Sequence, residues 1–181
     1  MLTVADLDDF KHPEGYVNPV GYPANLQTFF APWDDVHGAL KAVIGECRSS
    51  LVVAMYGYDD DELAAMIDAL LTNPNVYCQI SLDKSQAGGV HEAALLAKYQ
   101  HEMEGNSVAI GTSERSAIMH RKMVIVDGVW RISGSTNWSD AGETKQDNEL
   151  TVIHDAAVCA QARPILDLEH TKMLKQMGRA Q

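Results

Sequence analysis

Two ionisable side chains, His120 and Lys122, stand two residues apart in "MHRKMVIVDGVW", a stretch whose apolar residues otherwise describe a buried β-strand. Side chains two apart on a strand share a face, which sets Ile118, His120, Lys122, Val124 and Val126 on one side and Met119, Arg121, Met123 and Ile125 on the other. A buried lysine with neither a partner nor a water-filled cleft is costly, so the front of this strand is expected to open into a polar pocket. Ser135 and Asn137 are again two apart and follow Gly134, a residue that lets the backbone come close to whatever sits there. The set holds a nucleophile or base, a fixed cation and two neutral hydrogen-bonding groups. It has no run of carboxylates for a metal, and it equips an anionic reaction centre.

The elements that must position these residues follow from periodicity. Asp127-Gly128 is a hairpin signal, so the opening stretch reads as two strands joined at that turn. Turn geometry already accounts for Asp127, which with Gly134 is taken as structural support. Upstream, "LQTFFAP" and the continuous apolar run "SLVVAMYGY" read as strands, the second covered on both faces. "WDDVHGALKAVIGECRSS" carries Val36, Leu40, Val43, Ile44 and Cys47 at helical spacing, capped by Asp34 or Asp35. "DDDELAAMIDALLTNP" begins with Asp59 three residues before Glu62, a capping box. Its acidic run is better explained by the helix N-terminus than by a magnesium site. "VYCQISLD" and "SVAIG" add strands, "KSQAGG" a loop and "VHEAALLAKYQHEME" a third helix. "LTVIHD" is a strand, and the last helix, "AAVCAQARPILDLEHTKMLKQM", is one that Pro164 is expected to kink. Alternating strands and helices with one hairpin predict an α/β domain with a mixed sheet between helices, over residues 26–181. Residues 1–25, punctuated by Pro13, Gly15, Pro19, Gly21 and Pro23, read as an extended arm.

His120-x-Lys122-x4-Asp127-x6-Gly134-Ser135-x-Asn137 resembles the HxKx4Dx6GSxN signature of the phospholipase D superfamily. A chance match is on the order of one in 10⁸ per starting position. The following "GSTNWSDAGETKQDNELTVI" looks like the segment after the motif in the small bacterial nucleases of that superfamily. The resemblance implies a phosphodiesterase that needs no metal or other cofactor, in which His120 forms a phosphohistidine, Lys122 and Asn137 hold the phosphate oxygens and Ser135 is a further catalytic pocket residue. It also implies a downstream group that orients the histidine, assigned to Glu149 with Asn148 as the competitor. The reaction needs two histidines and the chain has one motif, so the resemblance further implies a homodimer with the active site at the two-fold axis.

Tyr56 and Tyr58, at the end of a central strand, are placed to wall the pocket, although core packing explains them equally well. Lys145 is expected near the rim. His12, His37, His91, His101, His154 and His170 have no ligand spacing and read as ordinary core or surface residues.

Across the 181 residues the formal charge is −11, which argues against a broadly basic nucleic-acid surface and confines any polyanion binding to a local cleft. A nucleic-acid substrate, DNA or RNA, is nonetheless the leading expectation. The alternatives are hydrolysis of phospholipid headgroups and a non-catalytic nucleic-acid-binding module. The absence of a transmembrane-length run or secretory leader leads us to expect a cytoplasmic protein with no membrane partner. Cys47, Cys78 and Cys159 are expected to be reduced core residues.

Overall fold

The computed structural model describes residues 1–12, 14, 17–86, 94 and 106–179. Seven strands form one sheet in the order β1-β9-β7-β6-β2-β4-β5. They are β1 (Leu26–Ala31), β2 (Ser50–Met55), β4 (Tyr77–Asp83), β5 (Asn106–Gly111), β6 (Lys122–Val126), β7 (Trp130–Gly134) and β9 (Asn148–His154). β2, β4 and β5 run parallel, while β6, β7, β9 and β1 add antiparallel pairings. This is the mixed sheet expected from the hairpin. A short second sheet pairs β3 (Tyr58–Asp59) with β8 (Trp138–Ser139) in parallel.

Helices α1 (Val36–Gly45) and α2 (Asp61–Leu71) cover one face of the sheet. Leu40, Ile44, Leu63 and Ile67 pack there with Leu51, Val53, Val124 and Val126 in one apolar cluster. Helix α4 (Ala156–Gln176) covers the other face, where Cys159, Leu166 and Met173 meet Val52, Ala54, Met119 and Ile125. The central strands β2 and β6 thus send alternate residues into two separate cores, as a continuous apolar run requires. Burying each of the larger side chains contributes about 1.5–3 kcal/mol. Pro164 lies inside α4. A short helix α3 (Asp140–Thr144) follows β8. Apart from residue 94, the helix expected over residues 90–104 lies outside the described residues, as do residues 87–89 of the loop before it.

Two details differ from the sequence expectation. The first 25 residues are not extended throughout, because Ala5–Phe10 forms a 3-10 helix whose Leu7 is fully buried against the core. Gly38 of α1 makes room for it, since a Cβ there would lie 2.6 Å from Phe10 Cδ1. The cap of α2 is Asp60, not Asp59: its carboxylate accepts from Leu63 N at 2.7 Å. In β4, Ser81 and Gln79 are buried beneath α4 and hydrogen-bond His170 and Asp167, respectively.

His170 is sandwiched between Ser81 Oγ (2.9 Å) and Ser107 Oγ (2.7 Å). Burial pushes its pKa down to about 4. All three thiols are buried and unbonded to one another. Burial pushes Cys47 and Cys78 up to about 12 and Cys159 up to about 11.

Candidate active site

β6 begins at Lys122, so His120 sits just before the strand in irregular backbone and is exposed. The alternation holds from Lys122 onward and also for Met119, which is buried in the α4-side core while Ile118 is exposed. The backbone leaves the strand path because Asp83, fully buried at the end of β4, captures Met119 N with one carboxylate oxygen. Its other oxygen holds Ser85 N and Oγ. Asp83 therefore fixes the approach to His120.

Lys122 is 5% exposed. Its Nζ donates to His120 O at 3.2 Å and stands 4.7 Å from the centre of the Tyr56 ring. Among the described residues it has no carboxylate partner, and burial holds its pKa below the ordinary lysine value. Tyr56 also meets the His120 ring edge-on, 4.6 Å between centroids, and its hydroxyl accepts from Gln86 Nε2 at 3.1 Å. Tyr56 thus stands against both His120 and Lys122. Tyr58 is instead 2% exposed and packs on Trp138.

Gly57 joins the two halves. A Cβ on it would lie 3.0 Å from Asn137 Cγ, and its carbonyl accepts from Trp138 N at 2.9 Å. The residue after Tyr56 is therefore clamped against Asn137, whose Oδ1 is buried without a hydrogen-bond partner. A cavity of about 350 Å³ opens here, with Gly57, Tyr58, Gln86, Asn137 and Ser139 among its walls.

Ser135 does not share that cavity. β7 ends at Gly134, so strand alternation no longer governs residues 135–137. Ser135 Oγ donates to Asn148 Oδ1 at 2.9 Å and accepts from Glu149 N at 3.0 Å. It lines a separate cleft of about 720 Å³ with Trp33, His12, Lys11, Asn148 and Glu149, and neither that cleft nor the smaller cavity has His120 or Lys122 in its wall. Gly134 lies close against β9, since a Cβ there would meet Glu149 O. Among the described residues, neither Asn148 nor Glu149 bonds the His120 ring within the chain. Asn148 instead ties Ser135 to Gly142 O.

Asp127 and Gly128 both have positive φ, 51° and 69°, and form the turn between β6 and β7. The Asp127 carboxylate accepts from Arg48 N, Ser49 N and Ser50 N at 2.8–2.9 Å, and from Ser49 Oγ at 3.0 Å. Burial raises its pKa, but those backbone hydrogen bonds outweigh it and hold the carboxyl below its ordinary value. Arg121 is paired with Glu169 at 2.7 Å, and Lys145 with Asp140.

The sequence reading missed Gly57, Gln86 and Asp83. Gly57, between two tyrosines at a strand end, carried a signal for close backbone approach; Asp83 and Gln86 carried none.

The profile of the family described as "Cardiolipin synthase, PLD-like domain" matches residues 40–167. A Rickettsia bellii protein named phospholipase D is 28% identical over 136 residues, covering 74% of this chain and 63% of its own length. A Chlamydomonas reinhardtii protein named mitochondrial cardiolipin hydrolase is 24% identical over 117 residues, 65% of this chain and 49% of that protein. The chain therefore spans about half to two-thirds of these relatives. Among solved structures, Nuc from Salmonella typhimurium, a phospholipase D family member, superposes with a TM-score of 0.67 at 19% identity, covering 82% of this chain and 94% of Nuc. NucT from Helicobacter pylori gives 0.65 at 19% identity, covering 83% and 95%.

Proposed function

The chain belongs to the phospholipase D superfamily of phosphodiesterases, and from that premise we propose a nuclease that hydrolyses DNA or RNA through a phosphohistidine. The observation that carries the reading is Lys122, a cation 5% exposed with no carboxylate partner among the described residues, beside the exposed His120. Such a charge is stabilised by an anion entering from solvent, and a phosphodiester supplies one.

In this reading a ring nitrogen of His120 attacks phosphorus and the P–O bond to the leaving group breaks. The histidine of a second copy of the chain protonates that leaving oxygen. Water, deprotonated by the second histidine, then attacks phosphorus, breaks the N–P bond and frees His120. Lys122 and Asn137 hold the non-bridging oxygens as charge builds on them. Ser135, engaged with Asn148 and Glu149 N, holds the end of β7 in place. Glu149 is assigned to orienting the histidine. None of these steps calls on a metal ion.

The fold is shared with Nuc and NucT over nearly their whole lengths, and nucleic acid is favoured by the resemblance of the segment after the motif to that of the small bacterial nucleases. A pair of chains would carry twice −11, or −22, so attraction of a polyanion must be local. Hydrolysis of phospholipid headgroups is the second reading, favoured by the names of the Rickettsia and Chlamydomonas relatives. No helix among the described residues is long and apolar enough to cross a membrane.

The test is incubation of the purified protein, in excess EDTA, with plasmid, single-stranded DNA, RNA and phospholipid vesicles. Nucleic acid is expected to be cleaved, and His120→Ala to lose at least about 10³-fold in rate. Cleavage of lipid alone overturns the nuclease reading; full activity of His120→Ala overturns the site. Undiminished specific activity in a protein shown to be monomeric by sedimentation removes the shared active site.

A further inference from the structure

Away from the phosphodiester site, three helices meet at ionisable side chains that the proposed chemistry does not use. His37 lies in the first turn of α1, Asp60 caps α2 and Glu143 belongs to α3. His37 Nδ1 is 2.6 Å from Glu143 Oε2 and 3.6 Å from Asp60 Oδ2. One ligand atom from each of the three lies within 4.8 Å of the others. Asp60 divides its labour, with Oδ1 accepting from Leu63 N and Oδ2 facing the histidine. Glu143 supplies an independent sign: it is 2% exposed, its carboxylate is aimed into the cluster, and its Oε1 is buried with no hydrogen-bond partner. On the far side of the imidazole, Glu62 Oε2 stands 3.5 Å from His37 Nε2 and pairs with Lys41.

We propose that His37, Asp60 and Glu143 form a binding site for one divalent transition-metal ion, of which zinc is the first candidate. One imidazole nitrogen with carboxylate oxygens is a donor set such ions accept, and water completes a four-coordinate shell. Bonds of about 2.0–2.2 Å in a tetrahedron place donors roughly 3.3–3.6 Å apart. The His37–Asp60 separation of 3.6 Å already matches that edge, while the 2.6 Å His37–Glu143 contact must open by about 1 Å. The ion takes the Nδ1 lone pair, and any proton held there leaves to solvent. Nε2–H then points at Glu62, the outer-shell carboxylate that commonly fixes a metal-bound histidine. Burial, the largest influence on Glu143, pushes its carboxyl up to about 7, and a cation beside it offsets the cost of keeping that buried group ionised.

The placement gives the ion a structural role. Asp60 follows β3, which leads from Gly57, and α3 follows β8, which leads from Asn137. An ion bridging Asp60, Glu143 and α1 therefore fastens the two segments that carry Gly57 and Asn137 to the body of the domain.

The test is calorimetric titration of the EDTA-stripped full chain with zinc chloride, together with thermal melts and the visible spectrum of the cobalt-loaded protein. One ion per chain is expected, with a rise in Tm and a four-coordinate cobalt spectrum. His37→Gln and Glu143→Gln are each expected to weaken zinc by more than the roughly 10–100-fold lost with an outer-shell partner, and Glu62→Gln to fall within that range. His120→Ala is expected to bind zinc like the wild type, which keeps this result separate from the fate of the nuclease reading. Absence of saturable uptake by the wild-type chain overturns the proposal whether or not the variants fold. Uptake that persists unchanged in His37→Gln and Glu143→Gln overturns it as well.

Discussion

The two ends of strand β6 treat an ionised side chain in opposite ways. At the far end Asp127 is over-supplied, taking hydrogen bonds from three consecutive backbone N–H groups and a serine hydroxyl. At the near end Lys122 is almost as hidden from water as a core residue, yet it has one carbonyl, an aromatic face and no counter-charge among the described residues. Both belong to the same sequence signature, and spacing alone ranks them equally. Their surroundings do not: Asp127 completes the fold from within, whereas Lys122 has no counter-charge among the described residues, and in the proposed function an incoming phosphate supplies one.

The sharpest way to break this contrast is Lys122→Met. Turnover is expected to fall by about 10²–10³-fold, while Tm holds or rises, because an apolar side chain of similar length replaces a charge that burial disfavours. A melting temperature that drops as turnover does would make Lys122 structural after all. Asp127→Ala is expected to do the reverse. Denaturant titration should show a loss of about 3 kcal/mol from backbone donors left without an acceptor, with turnover retained by the folded fraction. The Asp127 carboxyl sits below its ordinary pKa, so its share of stability is present above about pH 3.9 and vanishes as pH falls through the native value.

His170 extends the comparison to a second satisfied group. Its pKa, depressed to about 4 by burial between two serines, means that the unfolded chain takes up a proton first on acidification. Stability should therefore fall between about pH 6.5 and 4, by about 2–3 kcal/mol, and His170→Gln should flatten that limb in denaturant titrations. The smallest effect concerns the alkaline side of the rate profile. Lys122 loses its charge at lower pH than an ordinary lysine, so Lys122→Arg, if active, should carry its activity to higher pH than the wild type. An unmoved alkaline limb would assign it to another group.

Most of the sheet was legible because its strands are continuous or alternating apolar runs, and α1 and α2 because their apolar residues recur at helical spacing. The ends of those elements were not. His120 leaves the strand because Asp83, thirty-seven residues earlier, captures the intervening Met119 N, and no local pattern reports a contact of that range. Ser135 and Asn137 diverge because pairing with β9 stops at Gly134, which reverses the inference from their spacing. Asp59, Asp60 and Asp61 are chemically alike, and only the backbone angles choose Asp60 as the cap. The 3-10 helix at Ala5–Phe10 is too short for periodicity to register, yet Leu7 is among the fully buried residues. His37 has no ligand spacing in the sequence because its neighbours arrive from two other helices.

The three cysteines described with the core have a practical consequence at the bench. Cys47, Cys78 and Cys159 lie on both faces of the sheet, each buried and each far from the thiolate form at neutral pH. An aromatic disulfide reagent therefore has nothing to react with until the chain opens. The colour it releases becomes a stopwatch for native-state opening, readable in plain buffer and without a probe attached to the protein.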